Sequence, residues 1–188
     1  GLKSIGASAF ASAWRLARVD IPDGVAVVGP EAFRFCSALT NATIGLGVAS
    51  IGAKAFNNCP SLTSIKVAEE SPHFSDIEGV LFNKARTTLI QYPNARPAAR
   101  HTAPDSVRRI GDFAFADAVA LTNVTLGAGG VDIGMSAFEN CRVLAGIELG
   151  SATNISARAF ADCWALSHVE VPDSVLAIGD QAFERCSG

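Results

Sequence analysis

The hydrophobic positions of this chain recur along it at a fixed interval. Seven times an aliphatic residue is followed four and five positions later by Ala-Phe, and six of these copies carry Gly directly after the aliphatic residue. The copies are Ile5–Phe10, Val28–Phe33, Ile51–Phe56, Ile110–Phe115, Ile133–Phe138, Ile155–Phe160 and Ile178–Phe183. Their Phe residues are separated by 23, 23, 59, 23, 22 and 23 residues. A period in this range predicts a solenoid, in which one short unit stacks on copies of itself.

One repeat unit is clearest between Cys163 and Phe183. The alternation of Val169 and Val171 predicts a short strand with one buried face, and Pro172–Ser174 predicts a turn. The Gly before each Ala-Phe is expected to allow a tight or positive-φ conformation. Residues 180–186 fit one or two helical turns with their apolar side chains on one side. Parallel strands joined by such turns should wind in a right-handed sense.

The interval between Phe56 and Phe115 holds one irregular coil. From Val67 to Ala103 the chain carries 36 residues and no Ala-Phe. Two β-favouring runs, Val80–Phe82 and Leu89–Tyr92, flank a short polar connection and predict a hairpin in place of the helical turn. The sequence thus predicts one solenoid domain over residues 1–188, with an irregular extended coil over 68–103. Both ends cut through a repeat, so we expect a fragment of a longer repeat protein or end-to-end association of copies.

These phrases resemble the BspA-type leucine-rich repeats, whose unit reads I-G-x-x-A-F-x-x-C-x-x-L-x-x-I-x-I-P-x-x-V. The chain carries this pattern at Ile178–Cys186 and at Cys163–Val175. The resemblance implies an α/β fold: a right-handed leucine-rich-repeat solenoid with parallel strands on one face and short helical turns on the other. It also implies an extracellular or cell-surface location and adhesion to proteins or host surfaces. The family has no shared catalytic residues, so it implies no enzyme activity.

Composition removes two classes of partner. The formal net charge is −3, which offers no electrostatic reason to expect nucleic acid. No stretch of the chain approaches the roughly 18 uninterrupted apolar residues of a membrane helix. We therefore expect no nucleic-acid partner and no transmembrane element in this segment.

Cysteine, histidine and acidic residues are the candidates for chemistry. Each of the five cysteines follows a repeat Phe by three residues, while Ala13 and Ala118 fill the same slot elsewhere. An odd count without CxxC, in a slot that tolerates Ala, predicts buried free thiols more than disulfides or a zinc site. The three histidines form no ligand motif, and the acidic cluster at 69–78 is too sparse for a calcium loop. We therefore expect no cofactor, no metal and no catalytic residues.

The outward positions of the predicted strands form the candidate binding face. They make two columns, with Gly146 interrupting the first: Arg18, Asn41, Ser64, Arg100, Asn123 and His168 in one, and Asp20, Thr43, Lys66, Thr102, Thr125, Glu148 and Glu170 in the other. Solenoids commonly bind partners through such a face. Trp14 and Trp164 share another slot, either covering the core edge or acting as exposed contact anchors.

The sequence therefore predicts a non-catalytic protein-binding or adhesion module that contacts a protein or a host surface. The alternative is a structural spacer, which presents other domains and has no ligand of its own. An enzyme would need a convergent acid and base, and the sequence offers none at a recognisable spacing.

Overall fold

The computed structural model describes all residues, 1–188, and contains strands and turns but no helix. The sixteen strands are β1 (Ser4–Ile5), β2 (Arg18–Ile21), β3 (Val27–Val28), β4 (Asn41–Ile44), β5 (Ser50–Ile51), β6 (Ser64–Val67), β7 (Phe74–Ile77), β8 (Val80–Asn83), β9 (Thr88–Gln91), β10 (Arg100–Thr102), β11 (Arg109–Ile110), β12 (Asn123–Thr125), β13 (Asp132–Ile133), β14 (Gly146–Glu148), β15 (Asn154–Ile155) and β16 (Ala177–Ile178).

The chain divides into two compact units of stacked coils. Unit 1 comprises Gly1–Ala85 with Gln91–Arg96, and unit 2 comprises Arg86–Ile90 with Pro97–Gly188. In unit 1 the parallel sheets are β1-β3-β5 and β2-β4-β6. In unit 2 strands β9, β11, β13, β15 and β16 pair in that order, and β10, β12 and β14 form a second parallel sheet. Most coils thus contribute one strand to each of two sheets, whereas residues 168–171 of the last coil form no strand.

The predicted helical turns are wrong, and with them the α/β class. The segment around each Ala-Phe forms two successive tight turns, each with a left-handed residue in its third position. In the second coil the turns begin at Gly29 and Phe33, and Glu31 and Phe35 have φ of 56° and 61°. The same pair recurs in all seven repeats. An α-helix requires negative φ throughout, so this backbone cannot be helical.

Hydrogen bonding between coils explains why turns replace helix. Alternate amides of the turn segment donate to carbonyls of the next coil: Glu31 to Ala53 at 3.0 Å, Phe33 to Ala55 at 2.8 Å and Phe35 to Asn57 at 3.1 Å. In a helix these amides would bond within their own segment and leave the neighbouring coil unsatisfied. The apolar spacing of Ala, Phe and Cys fits either arrangement, which is why the sequence pattern favoured a helix.

The repeat glycine serves close packing between coils rather than a positive φ. A Cβ at Gly29 would lie 2.5 Å from the Ala7 nitrogen, and a Cβ at Gly52 would lie 2.3 Å from the Pro30 nitrogen. Neither glycine has a positive φ, so that part of the expectation is wrong. Gly6 occupies the same slot in the first coil, where nothing lies within 4 Å of the added Cβ.

Stacked phenylalanine rings form the centre of each unit. In unit 1 the rings of Phe10, Phe33 and Phe56 stack with centroids 5.3 Å apart, and the remaining repeat phenylalanines stack at 4.6–5.1 Å in unit 2. The rings are nearly parallel, with interplanar angles of 6° to 11°. Such ladders bury a large apolar area and keep the coils in register.

The cysteines form a second ladder beside the rings. All five are free; four are buried and Cys186 is partly buried. Each thiol donates a hydrogen bond to the carbonyl of the Phe in the preceding coil, at 3.0–3.2 Å. Burial raises the pKa of the Cys59 and Cys141 thiols to about 12. These thiols are therefore protonated packing groups at neutral pH, as the sequence predicted.

The long coil contains an antiparallel hairpin, β7–β8, joined at Glu78 and Gly79. Both turn residues have positive φ, 50° and 82°, as two-residue hairpin turns require. The runs predicted as strands are β8 and β9, while β8 takes the earlier segment β7 as its hairpin partner. Asp76 is not a solvated loop acid: it accepts hydrogen bonds from the amides of Val67 at 2.9 Å and Gly79 at 3.1 Å.

Candidate functional site

The strand registers align the predicted face in unit 1. Strands β2, β4 and β6 pair so that Arg18, Asn41 and Ser64 form one row of neighbours, and Asp20, Thr43 and Lys66 form the other. Between these rows the inward side chains of Ala42 and Ile65 are buried. Because successive strand residues point to opposite faces, burying one set directs the polar set outward. The structure thus brings all six unit 1 candidates to one surface.

The charges on the unit 1 face are already paired within the protein. The Arg18 Nε lies 2.9 Å from a carboxylate oxygen of Asp20, and hydrogen bonds from Arg18 and Thr43 lower the pKa of Asp20. Lys66 Nζ lies 3.1 Å from the carboxylate of Asp76 on the hairpin. A partner would have to displace these contacts before using the charges. The unit 1 face is therefore the weaker candidate.

The corresponding face of unit 2 is concave and forms a groove of about 640 Å³. Strands β10, β12 and β14 supply Arg100, Asn123, Thr102, Thr125 and Glu148 in two aligned rows. The groove is lined by all seven unit 2 candidates, namely Arg100, Thr102, Asn123, Thr125, Glu148, His168 and Glu170. His168 and Glu170 lie in the next coil, outside any strand.

Charge is distributed unevenly along this groove. Arg100 is exposed on β10 at one end, whereas Glu148, His168 and Glu170 lie two and three coils away. Neighbouring strands are about 4.8 Å apart, and Glu148 is in register with Thr102, two residues further along the strand than Arg100. Arg100 and Glu148 are therefore separated by roughly 12 Å. Thr125 donates to Glu148 at 3.2 Å, and no ion pair neutralises Arg100, Glu148 or Glu170. The groove therefore presents a basic end and an acidic end to solvent.

Glycine at position 146 contributes to the depth of the groove. A Cβ at Gly146 would lie 2.6 Å from the side-chain amide nitrogen (Nδ2) of Asn123, so a side chain here would compete with that of Asn123 for space. Ala145, Gly150 and Pro172 also line the groove without being predicted. For Gly146, the sequence signal was the missing side chain in the outward column of residues. The positions of Ala145, Gly150 and Pro172 in the groove lining could not be predicted from the sequence, because they depend on how the coils fold.

The other sequence candidates lie apart from this chemistry. His101 faces inward on β10, half-buried, with its ring 5.5 Å from that of Phe115, so it is a core substitution in this coil. Trp14 and Trp164 are 65% and 47% exposed, which leaves both rings accessible as contact residues. No group of three or more histidine, cysteine, aspartate or glutamate side chains could hold a metal ion.

Comparison with known proteins identifies the repeats. The profile described as BspA type leucine rich repeat region matches residues 3–96 and 92–188, with six copies. The structure resembles a leucine rich cell surface protein from Faecalibacterium prausnitzii (28% identity, TM-score 0.80, 98% of this chain and 61% of that chain). It also resembles the pneumococcal vaccine antigen PcpA (24% identity, TM-score 0.83, 96% and 51%) and a T. pallidum leucine rich repeat protein (24% identity, TM-score 0.59, 97% and 80%).

The chain spans 61% and 51% of the lengths of the first two of these proteins. No curated protein matches the sequence significantly. The structure contains no helix with the length and apolarity needed to cross a membrane.

Proposed function

Because the chain belongs to the BspA-type leucine-rich repeat family, we propose that it is a non-catalytic protein-binding module, which attaches a cell-surface or secreted protein to a protein or host-surface ligand. The observation that carries this proposal is the unit 2 groove, which collects seven outward polar side chains on one concave surface. Repeat solenoids commonly bind partners through extended concave surfaces of this kind.

The groove favours a peptide-like partner with separated charges. Arg100 at one end requires an acidic group, and Glu148 with Glu170 at the other requires a basic one. An extended segment rises about 3.3 Å per residue and alternates its side chains, so an acid and a base four residues apart would both face the groove and come close to the roughly 12 Å between Arg100 and Glu148. The groove has little aromatic lining, which disfavours a small apolar ligand.

The buried thiols argue against thiolate catalysis. The thiols, which are the strongest potential nucleophiles of the chain, are largely buried, and desolvation raises their pKa. A surface location is part of the proposal, supported by the cell-surface description of the Faecalibacterium prausnitzii protein, which is 28% identical.

The test is binding of the intact chain to a panel of purified host extracellular proteins immobilised on a sensor. Reversing the charge at the two ends of the groove, by Arg100→Glu and Glu170→Lys, should weaken any specific binding by about tenfold or more. Asp173→Lys is the matched control, because Asp173 is an exposed acid three residues from Glu170 that does not line the groove.

Two results would argue against the proposal. Equal binding by the wild type and both charge-reversal variants would remove the groove from the contact surface. The spacer function would be favoured by two results together. The chain would bind no panel member, and the presentation of a domain fused to it on a cell surface would depend only on the number of repeats.

A further inference from the structure

A second exposed surface lies on unit 2, at the tips of the turns that precede the strands. Val119, Arg142 and Trp164 occupy the same repeat slot in three consecutive coils, and Val143 follows Arg142. Their apolar members are exposed: Val119 is 58% exposed, Trp164 47% and Val143 39%. We call these four residues the turn-tip ridge. None of them lines the groove.

Buried anchors hold the ridge rigidly. Arg142 and Val143 are the central residues of a turn closed by the Leu144 amide donating to the Cys141 carbonyl at 3.1 Å. Trp164 lies in the equivalent turn of the next coil, closed at 3.1 Å between Leu166 and Cys163. The cysteine and leucine at the ends of both turns are buried. These two turns are therefore preorganised, and little backbone ordering would oppose binding there.

Arg142 brings an uncompensated positive charge into this apolar surface. Its guanidinium carbon lies 4.4 Å from the centroid of the Trp164 ring, and its Nε donates to the Asn140 side chain at 2.7 Å. It forms no ion pair. The neighbouring acids are engaged elsewhere: Glu139 binds Arg158 at 2.7 Å and Asp162 binds Arg185 at 3.3 Å. Asp117 accepts a hydrogen bond from the side-chain amide of Asn140.

We propose that the turn-tip ridge binds an acidic protein segment in which a carboxylate stands next to an apolar side chain. The carboxylate would pair with the free edge of the Arg142 guanidinium, whose face is shielded by Trp164. The apolar side chain would cover Val119 or Val143. Tryptophan and arginine are the residues most enriched at interface hot spots. An acidic glycan could satisfy Arg142 and Trp164, but the two exposed valines match an apolar side chain rather than hydroxyl groups.

The test pans a random peptide display library against the intact chain and measures the selected peptides on purified variants. Enriched peptides should carry Asp or Glu beside Leu, Ile, Phe or Trp. Arg142→Gln and Trp164→Ala should each weaken them by about tenfold or more, and added salt should weaken them further. Because both side chains are exposed, the variants should keep the wild-type circular dichroism spectrum.

Trp14→Ala is the matched control. Trp14 fills the same slot in unit 1, 65% exposed and with Arg15 5.0 Å from its ring centroid, but the next turn tip carries only Ser37 and Ala38. This variant and Glu170→Lys in the groove should bind the selected peptides like the wild type.

The proposal would be overturned if no peptide were enriched or if the enriched peptides lacked acidic residues. It would also be overturned if Trp14→Ala weakened peptide binding as much as Trp164→Ala does. It would also be overturned if an acidic polysaccharide, such as polygalacturonate, bound in an Arg142-dependent manner while peptides did not.

Discussion

Replacing Gly52 by alanine should disrupt the stacking of two coils in unit 1. The new Cβ would lie 2.3 Å from the Pro30 nitrogen and 2.7 Å from both the Gly29 carbonyl carbon and the Pro30 Cα. All three are backbone atoms, so no side-chain rotation can relieve the overlap. Ordinary contacts begin at 3.4 Å, and the two coils would have to separate by about 1 Å.

The cost follows from the hydrogen bonds that this separation would stretch. The Gly52 amide donates to Val28 at 2.8 Å, and the Glu31 amide donates to Ala53 at 3.0 Å. An added 1 Å would take both beyond hydrogen-bond range, at about 1 kcal/mol each. Residual overpacking adds roughly 2 kcal/mol. Reduced freedom of the unfolded chain offsets about 0.7 kcal/mol. We expect a net loss of about 3 kcal/mol in the free energy of unfolding.

Gly6→Ala is the matched control, because it makes the same substitution in the same slot where no atom lies within 4 Å. It should be neutral or stabilising by up to about 1 kcal/mol. The assay is equilibrium urea unfolding followed by circular dichroism, with equal m-values required for the comparison. If Gly52→Ala and Gly6→Ala changed the free energy of unfolding by the same amount, close approach would not be the role of this glycine.

Three further predictions address the ring stack, the thiols and the hairpin. Phe33→Ala should cost about 3–5 kcal/mol of unfolding free energy in urea titrations, because the ring is fully buried between two others; Phe10→Ala, whose ring is 44% exposed, should cost less than half as much. Above pH 9 the unfolded Cys141 thiol loses its proton while the folded one, with a pKa of about 12, keeps it. This group should therefore lower stability by about 1.4 kcal/mol per pH unit between pH 9 and 12, and Cys141→Ala should reduce the alkaline slope by that amount while Cys59 keeps its own contribution. Asp76→Ala should cost about 2 kcal/mol and speed hydrogen exchange of the Gly79 amide, since two backbone donors lose their acceptor.

Each of these predictions has a contradicting result. Equal losses for Phe33→Ala and Phe10→Ala would mean that the stack does not contribute through burial. An unchanged alkaline slope in Cys141→Ala would show that the thiol is not desolvated. If Asp76→Ala left exchange at Gly79 unchanged, the carboxylate would not order the hairpin turn.

The groove illustrates what could be predicted about the candidate site. The outward columns followed from strand alternation, and the registers place Arg100 beside Asn123 and Thr102 beside Thr125 as expected. Concavity could not be predicted, because it depends on how successive coils pack. The pairing of charges on the unit 1 face could not be predicted either. Lys66 is neutralised there by Asp76 of the hairpin, which lies ten residues away in sequence.

The repeat period, the buried slots and the family can all be inferred from the order of residues, because apolar side chains at fixed spacing can be buried only by stacking like coils. The choice between helix and turn around each Ala-Phe is made in the folded protein. That choice depends on hydrogen bonds to a neighbouring coil, such as Phe33 to Ala55, which a local pattern does not contain. The same contact between coils explains the repeat glycine, whose role is set by the backbone packed against it and not by its own φ.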